Sequence, residues 1–128
     1  MTLDSSALIA ILFGESGCLD LVDRVLEADV VRVGAPTLTE TAIVTIARRR
    51  APLRQELSML LRELDVTVVP FTIAHYEAAA RAYERFGRGR HEANLNFGDC
   101  LSYAVAAVAG DTLLFVGDDF RHTDIEPA

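Results

Sequence analysis

The sequence predicts an α/β fold in which a mostly parallel sheet is covered by helices on both faces. Short runs rich in β-branched residues alternate with longer segments whose apolar residues recur at helical spacing. Strands that alternate with helices usually pair in parallel and need cover on both sides. The chain has 128 residues, 51% of them apolar, and contains no repeat or linker-like segment. That length suits one buried core, so we expect a single domain over residues 1–128.

Four short apolar segments are predicted to be strands, and valines dominate the second and third. They are Met1–Asp4, Val30–Ala35, Val66–Phe71 and Leu113–Gly117. Six segments carry apolar residues at helical spacing. They are Ala7–Leu12, Cys18–Ala28, Thr37–Arg49, Pro52–Leu64, Ile73–Phe86 and Phe97–Ala109. Pro52 suits the first turn of its helix, where no N–H donor is needed. Between the last two helices, glycines interleaved with arginines over Arg85–Asn96 predict a flexible basic loop rather than a packed element.

The residue types present exclude several classes of protein. All twelve basic residues are arginine, so a P-loop with its phosphate-binding lysine is absent, and a receiver domain is a poor match. A phosphatase of the haloacid dehalogenase type needs Asp-x-Asp after the first strand, but Ser6 stands at the second position. Cys18 and Cys100 are too few for a disulfide framework. With no signal peptide and no apolar run of ~18–20 residues, we expect a cytoplasmic protein.

Acidic residues stand where predicted strands end or helices begin. Asp4 ends the first strand, Glu40 follows the second, Asp99 opens the last helix, and Asp118 and Asp119 follow the last strand. In an open parallel sheet the carboxyl ends of the strands share one crevice, which is the usual ligand site. Separate stretches of the chain are therefore expected to bring their carboxylates to one edge of the sheet.

Each of these acids also has a purely structural explanation. Glu40 follows Thr37, and Asp99 follows Asn96, at the spacing of a capping box, while Asp4 could be a plain N-cap. For the acids taken together the structural explanation is weaker, because carboxylates within ~4–6 Å of one another repel unless a cation lies between them. Oxygen ligands without His or Cys favour Mg²⁺ or Mn²⁺, which can activate water and offset charge on a phosphodiester.

Four motifs in order along the chain resemble the PIN-domain ribonucleases, and in particular the VapC toxins of VapBC toxin–antitoxin pairs. The motifs are the D-x-S-A of Leu3–Leu8, Glu40 after Pro36–Thr39, the N-F-G-D-C of Asn96–Cys100, and Leu114–Phe120 followed by Thr123–Ile125. The resemblance covers essentially the whole chain. It implies a three-layer α/β/α sandwich, a Mg²⁺- or Mn²⁺-dependent endoribonuclease, and inhibition by a VapB-type antitoxin.

The same resemblance implies roles for particular residues. Asp4, Glu40 and Asp99 become catalytic, metal-binding acids, and Ser6 becomes a supporting hydroxyl, although it could equally cap a helix. The fourth acid is Asp118 or Asp119, of which Asp119 is slightly favoured, and both remain candidate metal ligands. The resemblance also implies a homodimer and a larger toxin–antitoxin assembly. The leucines of the fourth helix are candidates for the dimer surface, although they could equally be core: Leu57, Leu60, Leu61 and Leu64.

The substrate is expected to be RNA, although the net charge of −7 argues superficially against a nucleic-acid partner. Local positive charge could come from Arg85, Arg88, Arg90 and His91 just before Asp99. These side chains could equally be a solvated surface loop or contact a protein partner. An alternative function is a binding module that has kept the fold and lost catalysis, but intact candidate acids speak against it.

Overall fold

The computed structural model describes residues 1–49 and 53–128. The strands within these ranges are β1 (Thr2–Leu3), β2 (Val31–Gly34), β3 (Val66–Val69) and β4 (Leu113–Leu114). The α-helices are α1 (Ser5–Phe13), α2 (Cys18–Glu27), α3 (Ala35–Arg49), α4 (Arg54–Glu63), α5 (Ile73–Phe86) and α6 (Phe97–Ala109). A short 3₁₀ helix covers Asp119–His122. The prediction for Pro52 lies outside the described residues.

The described strands form one parallel sheet in the order β3-β2-β1-β4. Thr2 pairs with both Arg32 and Leu113, so β1 is a central strand. Successive strand residues point to opposite faces, and Leu113 and Leu114 accordingly join two different apolar clusters. One cluster is built mainly from α5 and α6, and the other from α1, α2 and the inner strands. The predicted α/β/α architecture with a parallel sheet is confirmed.

Several boundaries differ from the predicted ones, and hydrogen bonding explains the shifts that matter for the site. Helix α1 begins at Ser5 because the Asp4 side chain accepts a hydrogen bond from the Ser6 N–H and caps the helix. Strand β4 stops at Leu114, and the Val116 N–H donates to the Ser6 hydroxyl instead of continuing the ladder. Gly117 has φ 108°, a conformation that favours glycine and turns the chain.

The predicted flexible loop over residues 85–96 is instead packed and hydrogen-bonded, so that prediction is wrong. The Arg88 N–H donates to Leu95 O at 3.0 Å, and the Leu95 N–H donates to Phe86 O at 2.9 Å. Ala93 and Leu95 are fully buried in the cluster formed by α5 and α6. These two buried apolar side chains hold the loop against α5 and α6, while its arginines lie at the surface.

The leucines of α4 and its C-terminal end pack into the core, which is one of the two alternatives that the sequence left open. Leu57 is 7% exposed. The other three are partly buried against the cluster that contains β1 and β2: Leu60, Leu61 and Leu64. Helix α4 therefore covers one side of the sheet with this face. Among the described helices none alone is long and apolar enough to cross a membrane; α1 and α2 reach that length only as a pair bent by 119°.

The C-terminal segment is tied to α5 and α6 by polar contacts. The Tyr103 hydroxyl donates to Asp124 Oδ1 at 2.7 Å, and the Arg85 guanidinium pairs with Asp124 Oδ2 at 2.8 Å. The guanidinium also lies 4.5 Å from the centre of the Phe86 ring. Arg85, a possible RNA-binding residue from the sequence, therefore also pairs with the chain end, while its side chain stays 57% exposed.

We expect Tyr103→Phe to lower the free energy of unfolding by about 1 kcal/mol, because a mostly buried hydrogen bond to a carboxylate is lost. Urea denaturation measures the change, and Tyr83→Phe is the matched control, since the Tyr83 ring is 41% exposed. Equal stability of the two variants would mean that the tie to Asp124 contributes nothing.

Candidate active site

Asp4 lies at the carboxyl end of the central strand and is 3% exposed. Its Oδ2 atom accepts hydrogen bonds from the Ser6 N–H at 2.9 Å and from the Ser6 hydroxyl at 2.6 Å. The Oδ1 atom is buried and has no hydrogen-bond partner. A buried carboxylate oxygen without a partner is costly, so an ion or water at this oxygen would stabilise the fold.

Ser6 joins the ends of two neighbouring strands. Its hydroxyl donates to Asp4 and accepts from the Val116 N–H at 3.0 Å. The helix cap is provided by Asp4, and the Ser6 hydroxyl itself fixes one carboxylate oxygen and one strand end. This arrangement corresponds to the supporting hydroxyl that the sequence suggested, rather than to a cap made by Ser6.

Glu40 lies in the second turn of α3, because the helix begins at Ala35 and not at Thr37. Thr37 bonds Ser102 across to α6 at 3.1 Å, so the capping box proposed for Glu40 is not formed. The Glu40 Oε2 atom is buried without a hydrogen-bond partner. Burial raises the pKa of Glu40, and the carboxylates of Asp4 and Asp99 raise it further, against a lowering hydrogen bond from Ser5.

Gly98 makes room for the Glu40 carboxyl group. A Cβ atom at position 98 would lie 2.5 Å from Oε1 and 2.6 Å from Oε2 of Glu40, closer than real contacts allow. Its backbone is helical, so the glycine is needed for space rather than for conformational freedom. The glycine of the N-F-G-D motif therefore lets α3 and α6 bring Glu40 and Asp99 together.

Asp99 occupies the first turn of α6, where Asn96 and Asp99 form a reciprocal capping box. The Asn96 N–H donates to Asp99 Oδ2 at 2.7 Å. The pKa of Asp99 is nevertheless raised to about 6, chiefly by burial, with further contributions from Asp4 and Asp119. The Arg88 guanidinium lowers it. Asp99 thus caps its helix and also faces the other acids.

The two adjacent aspartates after β4 point to different places. Asp119 lines the same crevice as Asp4, Glu40 and Asp99. The Asp118 side chain is 82% exposed and lies 3.4 Å from the Arg121 guanidinium. Asp118 is not among the residues that line the crevice. Of the two candidates for the fourth acid, the structure brings only Asp119 to the other three.

The crevice has a volume of about 380 Å³ and lies at the carboxyl end of the sheet. Besides the acids it is lined by Asn96, which belongs to the N-F-G-D-C motif, and by an ion pair between Glu15 and Arg48, which was not assigned to the site from the sequence. Nothing in the spacing of Glu15 or Arg48 pointed to the site, because each comes from the end of its own helix. Both become visible only when α1 and α3 are packed together.

A second, larger groove of about 1120 Å³ adjoins the crevice and shares Glu40, Val44 and Asn96 with it. Its other walls come from α3, α5 and the start of α6 and are mostly apolar. Three of the exposed side chains there are Ile43 (61% exposed), Tyr76 (60%) and Phe97 (78%). The surface beside the acids is thus apolar enough to take a protein partner.

The other arginines of the predicted basic loop differ in placement. Arg88 lies near enough to Asp99 to lower its pKa and lines the apolar groove. Arg90 is exposed at the loop surface. His91 packs its ring edge-on against Phe86, with 5.2 Å between the ring centres, so it belongs to the loop's own packing.

The oxygen donors that line the crevice are of the type that a hard divalent cation prefers. Across residues 1–48 and 53–128, however, no group of three or more His, Cys, Asp or Glu side chains is arranged so that it could hold a metal ion. The acids predicted as metal ligands thus line one crevice without forming a complete ligand set. The unpartnered oxygens of Asp4 and Glu40 and the raised pKa of Asp99 still fit a cation, since Mg²⁺ usually keeps several waters.

The chain belongs to the PIN domain family, which matches it over residues 1–126. It is 41% identical over 126 residues to Ribonuclease VapC30 of Mycobacterium tuberculosis, covering 98% of this chain and 95% of the relative. It is 42% identical over 125 residues to a Ribonuclease VapC of Mycolicibacterium smegmatis, covering 98% and 97%. The resemblance inferred from the motifs is confirmed.

Solved structures share the fold at low sequence identity. The crystal structure of Mycobacterium tuberculosis VapC20, a Sarcin-Ricin loop cleaving toxin, superposes with TM-score 0.74 and 20% identity over 99% of this chain and 97% of that one. VapBC2 from Rickettsia felis, bound to a DNA fragment of its promoter, also gives TM-score 0.74, at 13% identity over 99% and 96%. Both support the three-layer fold.

Metal-free stability should depend on pH through Asp99. The pKa of this group is about 6 in the folded protein against an ordinary 3.8, so its contribution to stability is present below about pH 4 and is lost as the pH rises through about 6. As the pH rises from about 4 to about 6, the melting temperature of the wild type in EDTA should therefore decrease relative to that of Asp99→Asn.

The control for this prediction is Asp118→Asn, which removes a neighbouring but exposed carboxylate. Its melting temperature should follow that of the wild type across the same pH range. If the difference between wild type and Asp99→Asn stayed constant with pH, the pKa of Asp99 would not be raised by burial and by the neighbouring acids as the geometry indicates.

Proposed function

We propose that this protein is a Mg²⁺- or Mn²⁺-dependent endoribonuclease that acts as the toxin of a toxin–antitoxin pair. The observation that carries the proposal is the convergence of Asp4, Glu40, Asp99 and Asp119 on one crevice, with buried carboxylate oxygens that have no partner in the protein. Relatives over 40% identical across nearly the whole chain are named VapC ribonucleases. These two lines of support are independent of each other.

The proposed site consists of four acids that would hold the cation and of two residues that position them. Asp4 and Glu40, with their unpartnered oxygens, would hold the cation together with Asp99 and Asp119, which line the same crevice. A bound divalent ion would activate water and offset charge on the phosphodiester. Ser6 fixes Asp4 through the hydroxyl hydrogen bond, and Gly98 keeps the space that Glu40 occupies.

A catalytically inactive binding module gains no support from this site. Such a domain has no reason to keep mutually repelling carboxylates with raised pKa values, because they reduce stability when no cation is bound. Relatives that are 41% and 42% identical to this chain are named ribonucleases as well. Catalysis is therefore the function that the arrangement supports best.

Asp119→Asn should abolish or strongly reduce Mn²⁺-dependent cleavage of single-stranded RNA, as should Asp99→Asn, because each removes a carboxylate that faces the cation. Asp118→Asn should cleave at close to the wild-type rate, since its side chain is exposed and paired with Arg121. Cleavage is measured by gel with and without EDTA. Full activity of a folded Asp99→Asn protein would overturn the proposal. Equal loss of cleavage in Asp118→Asn and Asp119→Asn would overturn the choice of Asp119.

Inhibition by a VapB-type antitoxin is part of the proposal. Clustered carboxylates attract a guanidinium, which can form bidentate hydrogen bonds with them. The apolar groove beside Glu40 offers an amphipathic segment of the same partner a surface to pack on, in the helix-in-groove mode. A solved toxin–antitoxin complex from Klebsiella pneumoniae has the same fold, with TM-score 0.70.

Antitoxin affinity should then fall in excess Mn²⁺, because the cation competes for the acids, and Glu40→Gln should weaken both antitoxin binding and the effect of Mn²⁺. Isothermal titration of the purified partner measures both. Ile43→Ser, in the groove but outside the acids, should weaken binding without changing the response to Mn²⁺. Affinity indifferent to Mn²⁺ and to both substitutions would place the antitoxin on another surface.

A cytoplasmic location and a homodimer complete the proposal. Since α4 uses its leucines in the core, a dimer surface has to be sought among exposed apolar side chains elsewhere. Light scattering at working concentration decides between a dimer and a 14.0 kDa monomer.

A further inference from the structure

Glu15 and Arg48 form an ion pair at the rim of the acidic crevice. The Arg48 guanidinium lies 2.8 Å from Glu15 Oε1, and its carbon lies 5.8 Å from the centre of the Phe13 ring. Glu15 follows the left-handed Gly14 that ends α1, and its N–H donates to Ala10 O at 2.9 Å. The Glu15 backbone is therefore fixed, and both side chains of the pair line the crevice.

Among the side chains that the structure describes, those of residues 1–48 and 53–128, Arg48 is the basic one that lines this crevice. The remaining charged groups there are carboxylates, in a protein with a net charge of −7. A polyanion brought to such a crevice needs positive charge beside the acids as well as a cation among them. Arg48 is placed to supply it.

We propose that Arg48 is a substrate-positioning residue that binds a phosphate of the RNA next to the scissile bond, and that Glu15 holds its guanidinium at the rim until the phosphate replaces it. The proposal rests on the ribonuclease function argued above. The Arg48 guanidinium donates to Glu15 through one nitrogen, Nη1. Arginine can bind a phosphate with two parallel hydrogen bonds, so replacing the carboxylate with a phosphate would add a contact.

The exposure of the pair makes this exchange inexpensive. The two side chains are 53% and 43% exposed, and exposed ion pairs contribute little to stability. The Phe13 ring beneath the guanidinium limits the directions in which it can move when Glu15 is displaced. Arg48 can thus turn toward a bound phosphate without unfolding the end of α3.

A purely structural role is the competing explanation, in which the pair ties α1 to α3. The two explanations predict different effects of Glu15→Gln on RNA binding. As a structural tie, Arg48→Gln and Glu15→Gln break the same bond and should affect RNA binding equally. As a phosphate-binding residue with a holding partner, Arg48→Gln removes the contact, whereas Glu15→Gln frees Arg48 and removes a repelling carboxylate.

The test is binding of a 5′-labelled single-stranded RNA, followed by fluorescence anisotropy with Mg²⁺ in an Asp99→Asn background that does not cleave. Arg48→Gln should bind about tenfold more weakly, as expected for one charge-assisted contact. The slope of log affinity against log salt should shrink by about 0.7. Glu15→Gln should bind more tightly than its parent, and Arg48→Lys should recover part of the loss. Arg62→Gln, exposed in the last turn of α4, is the matched control and should bind like its parent.

Kinetics of otherwise wild-type enzyme provide a second readout. Arg48→Gln should raise KM with little change in kcat, because the contact acts in binding. Weaker binding by both Arg48→Gln and Glu15→Gln, or unchanged binding by Arg48→Gln, would overturn the proposal. Cleavage by the wild type, measured in parallel, distinguishes failure of the Arg48 role from failure of the proposed ribonuclease function. If the wild type cleaves RNA and Arg48→Gln is unaffected, only the role of Arg48 is overturned. If the wild type does not cleave RNA, the proposed function is overturned.

Discussion

The hydroxyl of Ser6 connects the carboxyl ends of two strands through two hydrogen bonds, and the site is built around this connection. It accepts from the Val116 N–H and donates to Asp4 Oδ2. Strand β1 is central in the sheet, so Asp4 is fixed at the middle of the crevice, with β4 and the chain that leads to Asp119 on one side. The free Oδ1 atom is thereby held in one position, around which α3 and α6 place Glu40 and Asp99.

Like charges held this way work against folding, and the surrounding structure shows how they are tolerated. Burial and mutual repulsion raise the pKa values of Glu40 and Asp99, so protonation relieves part of the strain when no cation is bound. The capping box of α6 holds Asp99 in place, and the absence of a side chain at Gly98 leaves the space that the Glu40 carboxyl group occupies. A cation would be bound by groups that are already positioned, which is the condition for efficient electrostatic catalysis.

The sequence was sufficient to predict the parallel sheet, the helices and the acids, because strand-end carboxylates follow from topology. It misjudged features that depend on packing between distant elements. Glu40 matched a capping box, but α3 starts earlier, at Ala35, and the Thr37 hydroxyl bonds Ser102 on α6 instead. The glycines of the basic loop suggested flexibility, but Ala93 and Leu95 are buried beneath it. The preference for Asp119 over Asp118 came from the family resemblance alone, and the position of Arg48 beside the crevice could not be inferred from local spacing.

Net charge is a poor guide to whether this protein binds RNA, because placement decides what each arginine can do. Arg32 pairs with Asp111 and Arg85 with Asp124, and both pairs hold elements of the fold together. Arg88 instead lies beside Asp99, where it lowers the pKa of that acid. An acidic chain can therefore bind a polyanion if a few guanidinium groups adjoin a site whose own negative charge is offset by a cation. The crevice concentrates the acids, and a divalent ion bound there would reverse their effect where the phosphodiester would lie.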